Sequence, residues 1–248
     1  MALDLAKRNE KLTLSLAKQR IASIKAQVGC VLDRSGSMNH LYGNGTMQEY
    51  TNRLVPLGLR FDDNGRIDSW AFTTSVFPTA AITAANVETF VRDNIQRISP
   101  GGTSFFPVLS AVVAHYFGPA ALGTPEVKPG FLGGLFGAKA APPVAPVFGA
   151  VSDPVYLIFQ TDGENDDPAK TDALLASLER QAIYIQFVGV GIAGFSFLRK
   201  MADKYSNVGF FKVENLAATS EETLYDLLIN AEFKTFLKTR FPTHIREL

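Results

Sequence analysis

Oxygen-bearing side chains recur at two-residue intervals immediately after an apolar run near the N-terminus. In the segment DRSGSM, Asp33 is followed by Ser35 and Ser37. Residues two apart in extended backbone point the same way, so the carboxylate and the two hydroxyls can converge on one point. Gly36 allows the backbone to turn tightly between the two serines. This spacing predicts a small polar site at the end of a buried strand.

Two further segments carry side chains of the same chemical type. In TDGEND, Asp162 ends a second apolar run, and in SPGGTSF, Thr103 follows a Gly-Gly turn just before an apolar stretch. Ligands of open α/β sheets gather outside the carboxyl ends of the strands. Together with the carboxylate and hydroxyls of DRSGSM, these residues would form an all-oxygen set that suits Mg²⁺, Mn²⁺ or Ca²⁺. The small number of charged ligands favours Mg²⁺, and no thiolate or imidazole pair is available for zinc.

Short apolar runs, rich in β-branched or aromatic residues, would supply the strands that position these side chains. They are Gln27–Asp33, Val155–Asp162, Ile183–Val190, Val208–Val213 and the more mixed Ile67–Thr73. Helical spacing is found between them, in Gln48–Arg60, Ala85–Ile98, Phe105–Phe117, Thr171–Gln181, Phe195–Lys204 and Glu221–Leu237. Consecutive apolar residues are typical of parallel strands buried on both faces, and alternation with helices implies crossover connections. The sequence therefore predicts a doubly wound α/β fold, with a mainly parallel sheet and helices on both faces.

Two segments fit this alternation less well. Pro119–Ser152 is rich in Gly, Pro and Ala and exceeds ordinary connections in length, so we interpret it as an insertion. We expect it to fold back onto its own domain, the alternative being a mobile flap or a contact surface for a partner. Near the N-terminus, Leu12–Leu16 alternates as a strand would, and we interpret Ala17–Lys25 as a helix leading into the first core strand.

The candidate ligands also carry a family resemblance. DRSGSM, the threonine after Gly-Gly, and TDG resemble the metal-ion-dependent adhesion site of von Willebrand factor A-type domains, whose pattern is Asp-x-Ser-x-Ser, then Thr, then Asp. The resemblance covers about Lys25–Ala231 and implies a six-stranded sheet, to which Val76–Thr79 would supply a short antiparallel edge strand. On this basis residues 25–248 form the A-type domain, with the insertion at about 119–152, and residues 1–24 form an N-terminal extension.

The resemblance implies a metal-dependent protein-interaction module that is not an enzyme. The hydroxyls of Ser35, Ser37 and Thr103 would bind the metal. Asp33 and Asp162 would hold it directly or through water, and a carboxylate from a partner protein would take the remaining coordination position. The N-terminal run KRNEKLTLSLAK also looks like the bacterial A-type domains associated with tellurium resistance and stress response.

Composition argues against several other classes of protein. Lys plus Arg and Asp plus Glu each total 24, and this zero formal charge disfavours a binder of nucleic-acid phosphates. Cys30 is the single cysteine, so no intrachain disulfide can form. The N-terminus is charged where a signal peptide is apolar, and prolines interrupt the most apolar segment. We therefore expect a cytoplasmic protein without a membrane span.

Three alternatives stay open for the polar site. Each serine or aspartate could by itself cap a turn or a helix, and the whole site could be empty in a structural scaffold. A Mg²⁺-dependent phosphohydrolase of the haloacid-dehalogenase type also has an aspartate at the end of its first strand, but its second aspartate is replaced by Ser35 here. The acids that follow TDG are interpreted as a solvated loop and the cap of the helix entered at Pro168; they are Glu164, Asp166 and Asp167.

Overall fold

Strands and helices alternate along most of the chain, as the apolar runs predict. The computed structural model describes residues 2–122, 153–163 and 165–248. The strands are β1 (Ile21–Ile24), β2 (Gln27–Asp33), β3 (Asp68–Phe72), β4 (Val76–Pro78), β5 (Val155–Thr161), β6 (Ile183–Val190), β7 (Val208–Val213) and β8 (Ile245–Glu247). The helices are α1 (Ala2–Lys18), α2 (Asn39–Gly43), α3 (Thr46–Phe61), α4 (Phe105–Phe117), α5 (Pro168–Leu178), α6 (Ser196–Lys204), α7 (Glu221–Leu228) and α8 (Ala231–Arg240).

Six of these strands form one sheet, in the spatial order β4-β3-β2-β5-β6-β7. Neighbouring strands in it are parallel, except that β4 is antiparallel to β3. The chain moves outward from β2 to β3 and β4, then returns to the other side of β2 with β5. Strand order therefore reverses between β2 and β5, and the carboxyl ends of these strands flank the crevice where such sheets bind ligands. The predicted mainly parallel, six-stranded α/β fold with an antiparallel edge strand is confirmed.

Both faces of the sheet are covered by helices. Its central strands β5 and β6 are therefore buried along their whole length. Alternate side chains of β5 point to opposite faces: Tyr156 and Ile158 pack with residues of α1, α3, α7 and α8, whereas Phe159 packs with residues of α4, α5 and α6. On the second face Phe105, the first residue of α4, lies with its ring centroid 4.9 Å from that of Phe159. This contact brings Thr103 to the carboxyl end of β5.

The strand predictions agree closely with the structure. β2, β6 and β7 have the predicted bounds, β5 ends one residue earlier than predicted, and β3 lies within its predicted run. Helices α3 to α6 occupy the segments with helical spacing, with ends displaced by up to three residues. Of the predicted insertion at about 119–152, residues 119–122 form a 3₁₀ turn and residues 123–152 lie outside the described residues. None of the helices in the described ranges combines the length and the apolar character needed to cross a membrane.

Both predictions for the N-terminal segment were wrong. Leu12–Leu16 is part of α1 rather than a strand, and Ala17–Lys25 contains β1 rather than a helix. Leu12 and Leu16 are buried while Leu14 is 56% exposed, so the four-residue spacing of a helix outweighs the two-residue alternation. β1 pairs antiparallel with β8 at the opposite end of the chain, a partner that the local pattern cannot reveal.

Two predicted helices are interrupted in the structure. Glu221–Leu237 is divided into α7 and α8 because the side chain of Asn230 accepts a hydrogen bond from the backbone of α8 and caps that helix. Ala85–Ile98 contains a 3₁₀ turn at Val87–Thr89 and a π-helical turn at Val91–Ile95 instead of an α-helix. The side chain of Gln48 in α3 hydrogen-bonds to the backbone of both turns, which competes with regular helical pairing.

Helix α1 joins the N-terminal segment to one face of the sheet. Arg8 is buried, and its guanidinium lies 3.0 Å from Oε1 of Glu49 in α3 and 2.6 Å from Oε1 of Glu221 in α7. Farther along α1, the hydroxyl of Ser15 donates to Asp226 of α7 over 2.6 Å. The segment predicted as an extension is therefore packed against the helices that follow it.

Replacing Arg8 by alanine should lower the free energy of unfolding by about 1–2 kcal/mol, because the buried guanidinium that joins Glu49 to Glu221 is lost, although Lys11 remains 2.7 Å from Glu221. Urea unfolding followed by circular dichroism measures this change. The control is Lys7→Ala, at an exposed position of the same helix, which should stay within about 0.5 kcal/mol of the parent. Equal stability of the two variants would contradict the role given to Arg8.

Candidate metal centre

Asp33 is the last residue of β2, and its side chain is enclosed by protein. It has 0% exposure, and its carboxylate accepts hydrogen bonds from the backbone N–H of Ser35 at 2.7 Å and the hydroxyl of Thr161 at 2.5 Å. Burial raises the pKa of Asp33 to about 6; the two hydrogen bonds oppose this shift, and the negative charge of Asp162 adds to it. Asp33 is therefore a fixed, desolvated carboxylate at the switch point of the sheet.

The two serines and Asp162 converge beside this carboxylate. The hydroxyl of Ser37 donates to Oδ1 of Asp162 at 2.8 Å, and the hydroxyl of Ser35 donates to the same oxygen at 3.4 Å. The two serine hydroxyls are themselves 3.1 Å apart. Burial also raises the pKa of Asp162. The structure thus brings together the oxygens of two segments that are more than a hundred residues apart in the chain.

Thr103 reaches the same edge on a third segment. Ser35 forms a parallel bridge with Gly101, and the N–H of Gly36 donates to the carbonyl of Gly101 at 3.0 Å. A Cβ atom built on Gly163, the residue after Asp162, would lie 3.7 Å from the hydroxyl oxygen of Thr103. The structure therefore places all five predicted ligand residues at one end of the sheet.

The acids after TDG have a role that the sequence interpretation missed. Asp166 accepts a hydrogen bond from the N–H of Thr103 at 2.7 Å, and its own N–H donates to the carbonyl of Thr103 at 2.8 Å. Asp167 accepts from the N–H groups of Phe105 and Phe106, each at 3.2 Å, so its carboxylate caps α4.

As the sequence interpretation expects, Asp166 is exposed and Asp167 is the N-cap residue of α5, while Glu164 lies outside the described residues. What that interpretation did not predict is that both acids also bond the segment that begins at Thr103. The physical reason is that the loop lies against the start of α4, where Ser104 makes no side-chain cap of its own. The run of acids was visible in the sequence, but neither its proximity to α4 nor the lack of a side-chain cap from Ser104 was.

The donor set fits a hard divalent cation. In the part of the chain that the structure describes, neither Asp33 nor Asp162 forms an ion pair with Lys or Arg, and the basic group that acts on Asp162 is the imidazole of His40. Three hydroxyls complete the set, and oxygen ligands of this type suit Mg²⁺. The described residues contain no group of three or more His, Cys, Asp or Glu that could hold a metal, so a site here would depend on the hydroxyls as well.

A family model and a curated relative match most of the chain. The model is described as vWA-TerF-like, the von Willebrand factor A domain found in the TerF C terminus, and it matches residues 25–124 and 144–245. The unmatched residues between these two parts fall within the predicted insertion. The uncharacterized protein YcbR of Bacillus subtilis (strain 168) is 27% identical over 246 residues, which cover 95% of this chain and 86% of the relative.

Proximal thread matrix protein 1 of the mussel byssus has a similar fold. Two of its crystal structures superpose with a TM-score of 0.52 at 15% and 16% identity, and both alignments cover 84% of this chain. The chain spans about half the length of the mussel protein, 48% in each case. One of the two structures has a zinc-occupied MIDAS motif, the abbreviation for the metal-ion-dependent adhesion site. At this level of identity the likeness shows the fold alone.

Replacing Asp167 by alanine should lower the free energy of unfolding by about 1–2 kcal/mol, because the N–H of Phe106 and the hydroxyl of Thr171 would lose their acceptor. The N–H of Phe105 would keep the side chain of Asn165 as an acceptor. Thermal and urea unfolding in the presence of EDTA measure the effect without any contribution from metal. Asp203→Ala, which removes an exposed acid from α6, is the matched control and should leave stability almost unchanged. If the Asp167→Ala protein unfolds at the same temperature and urea concentration as the control, the capping role is contradicted.

Proposed function

Since the chain belongs to the vWA-TerF-like family of von Willebrand factor A domains, we propose that it is a metal-dependent protein-interaction module. The observation that carries this proposal is the grouping of the Ser35, Ser37 and Asp162 oxygens within 3.4 Å of one another, beside the buried carboxylate of Asp33. Mg²⁺ is the proposed ion, with Mn²⁺ or Ca²⁺ able to replace it. The proposed ligands are Asp33, Ser35, Ser37, Thr103 and Asp162.

The residues of the site have different tasks in this proposal. Asp33 holds negative charge at a fixed position, because two hydrogen bonds from the protein immobilise its carboxylate. Ser37 is exposed and Asp162 is half-buried, so these two present their oxygens towards a partner. The bound ion would supply positive charge and an open coordination position for a partner's Asp or Glu. Without it, the carboxylates of the site would repel an acidic partner, so binding would depend on the ion.

The same geometry argues against the phosphohydrolase alternative. A nucleophilic aspartate must reach the phosphorus atom of its substrate, but Asp33 has no exposed surface and both of its carboxylate oxygens accept hydrogen bonds from the protein. Ser35, two residues on, cannot serve as a general acid near neutral pH. We therefore propose binding rather than catalysis. Release of phosphate from phosphoesters that is lost in an Asp33→Asn variant would contradict this part of the proposal.

We also propose a cytoplasmic role in tellurium resistance or a related stress response. The support is the family description, which refers to the TerF C terminus, and the N-terminal run KRNEKLTLSLAK. A strain that lacks the gene should be more sensitive to tellurite, and the parent gene should restore resistance where a Ser37→Ala gene does not. If both genes restore resistance equally, the stress response does not depend on the metal centre.

Isothermal titration with MgCl₂ tests the metal centre directly. Ser37→Ala removes one hydroxyl at an exposed position and should weaken Mg²⁺ binding about tenfold or more while leaving the fold intact. Asp33→Ala should abolish the binding heat. Ser206→Ala removes an exposed serine just before β7, at the opposite end of the sheet, and should bind as the parent does. Equal heats of Mg²⁺ binding for the parent and Ser37→Ala would contradict the proposed site.

Metal binding should also stabilise the folded chain against unfolding. At a free Mg²⁺ concentration a hundred times the dissociation constant, the free energy of unfolding should rise by about 2.7 kcal/mol, because the ion binds only the folded chain. Thermal unfolding with Mg²⁺ and with EDTA measures the difference. At the same Mg²⁺ concentration Ser37→Ala should show a smaller increase and Ser206→Ala the full one. A melting temperature that neither Mg²⁺ nor EDTA changes would favour the structural scaffold.

A further inference from the structure

A cavity of about 720 Å³ opens directly beside the candidate metal centre. Ser37 and Asp162 line it, so the cavity and the proposed ion would share one surface. Its other walls come from α2 and the start of α3 and from the segments that follow β6 and β7. The volume falls within the roughly 300–1,000 Å³ of cavities that enclose ligands, and it exceeds what one carboxylate needs.

One side of this cavity is apolar. Leu41, Val190, Ala193 and Leu216 line it, and Ile192 stands at its wall with 88% of its surface exposed. Gly191 has a φ of 102°, a conformation that glycine adopts without strain, and it turns the chain immediately after β6. An exposed isoleucine needs no explanation by itself, but here it adjoins other apolar side chains next to a proposed binding site.

The charges on the cavity wall are negative. Asp162 and Glu214 line it together with His40, and no Lys or Arg is among the lining residues that the structure describes. The side chain of Glu214 is 74% exposed and lies 3.1 Å from Lys212. Away from the ion, therefore, this surface favours apolar or basic groups and disfavours a second acid.

We infer that the partner segment bound here is an extended peptide in which the metal-binding Asp or Glu is accompanied by an aliphatic residue seated against Ile192, with a basic residue preferred beside Glu214. This inference rests on the proposed function, since the ion accepts the acid. It adds that the cavity after β6 and β7 selects which acidic segment binds. A carboxylate held only by the ion would be bound weakly, whereas burial of an aliphatic side chain against Ile192 should tighten binding about tenfold or more.

The experiment is a selection from a phage-displayed library of random peptides on the full-length chain in MgCl₂, with elution by EDTA. Enriched peptides should contain Asp or Glu with Leu, Ile, Val or Met within three positions. Ile192→Ser, which removes the aliphatic side chain without adding charge, should weaken binding of a selected synthetic peptide about tenfold or more in fluorescence anisotropy, while the Mg²⁺ affinity of this variant by titration calorimetry stays that of the parent. Leu14→Ser, at another exposed aliphatic residue on α1, is the matched control and should bind the peptide as the parent does.

A second pair of variants tests the charge preference. Glu214→Lys should weaken the binding of peptides that carry a basic residue and strengthen the binding of acidic variants of the same peptides. Glu10→Lys, an equal change of charge at an exposed position of α1, should do neither. If both lysine variants behave alike, net charge alone explains the effect and the part assigned to Glu214 is overturned.

The outcomes separate this inference from the function on which it rests. Peptides that EDTA releases and Ser37→Ala fails to bind, but that lack an aliphatic preference and bind Ile192→Ser normally, would overturn the inference and leave the metal-dependent module intact. Peptides that bind equally in EDTA and to Ser37→Ala would contradict the proposed function, and the inference with it. Failure of the library to enrich any peptide over an unrelated protein would also overturn the inference.

Discussion

A carboxylate enclosed at the end of a strand is the constraint on which the candidate site depends. Asp33 has no exposed surface, and the charge of Asp162 adds to the rise in its pKa. Moving a charged carboxylate out of water is unfavourable unless hydrogen bonds or an opposite charge compensate. The chain supplies two donors, the hydroxyl of Thr161 and the N–H of Ser35, but neither carries a full positive charge. A divalent cation among the adjoining oxygens would provide the compensation that is still missing.

Parallel strand pairing explains why residues far apart in the chain share this environment. Leu32 pairs with Gln160, so β2 and β5 end at the same level and their following loops begin side by side. The bridge from Ser35 to Gly101 adds the segment that carries Thr103. Each loop is thus attached to a buried strand or to a neighbouring loop by short hydrogen bonds, which is the support that a precise set of ligands requires.

The sheet could be predicted because its strands are encoded locally. β6 and β7 are predominantly apolar at consecutive positions, since both faces of the sheet are covered, and no knowledge of their neighbours was needed to find them. β1 could not be predicted in this way, because it exists through pairing with β8, and Leu12–Leu16 was mistaken because its alternation satisfied a strand as well as a helix. The break between α7 and α8 depends on one cap at Asn230 within an otherwise continuous helical pattern.

The same distinction applies to the candidate site. Its oxygen-bearing residues follow recognisable strand ends, and the structure places them together. The hydrogen bonds of Asp166 and Asp167 to the N–H groups of Thr103 and Phe105 escaped prediction because those groups lie about sixty positions earlier in the chain. A solvated loop and a loop that supports another segment have the same composition, and only the fold distinguishes them.

If a partner binds through an ion, the ligands of the ion and the side chains around them have different roles. The proposed ligands would bind a cation and any carboxylate that reaches it, so they cannot by themselves distinguish one acidic partner from another. Selectivity has to come from neighbouring side chains, and two that share the cavity with Ser37 and Asp162, namely Ile192 and Glu214, follow β6 and β7 rather than β2 or β5. Both strands are held by packing, whereas the segments after them are partly exposed. Substitutions there can therefore change the choice of partner without displacing the oxygens that would hold the ion.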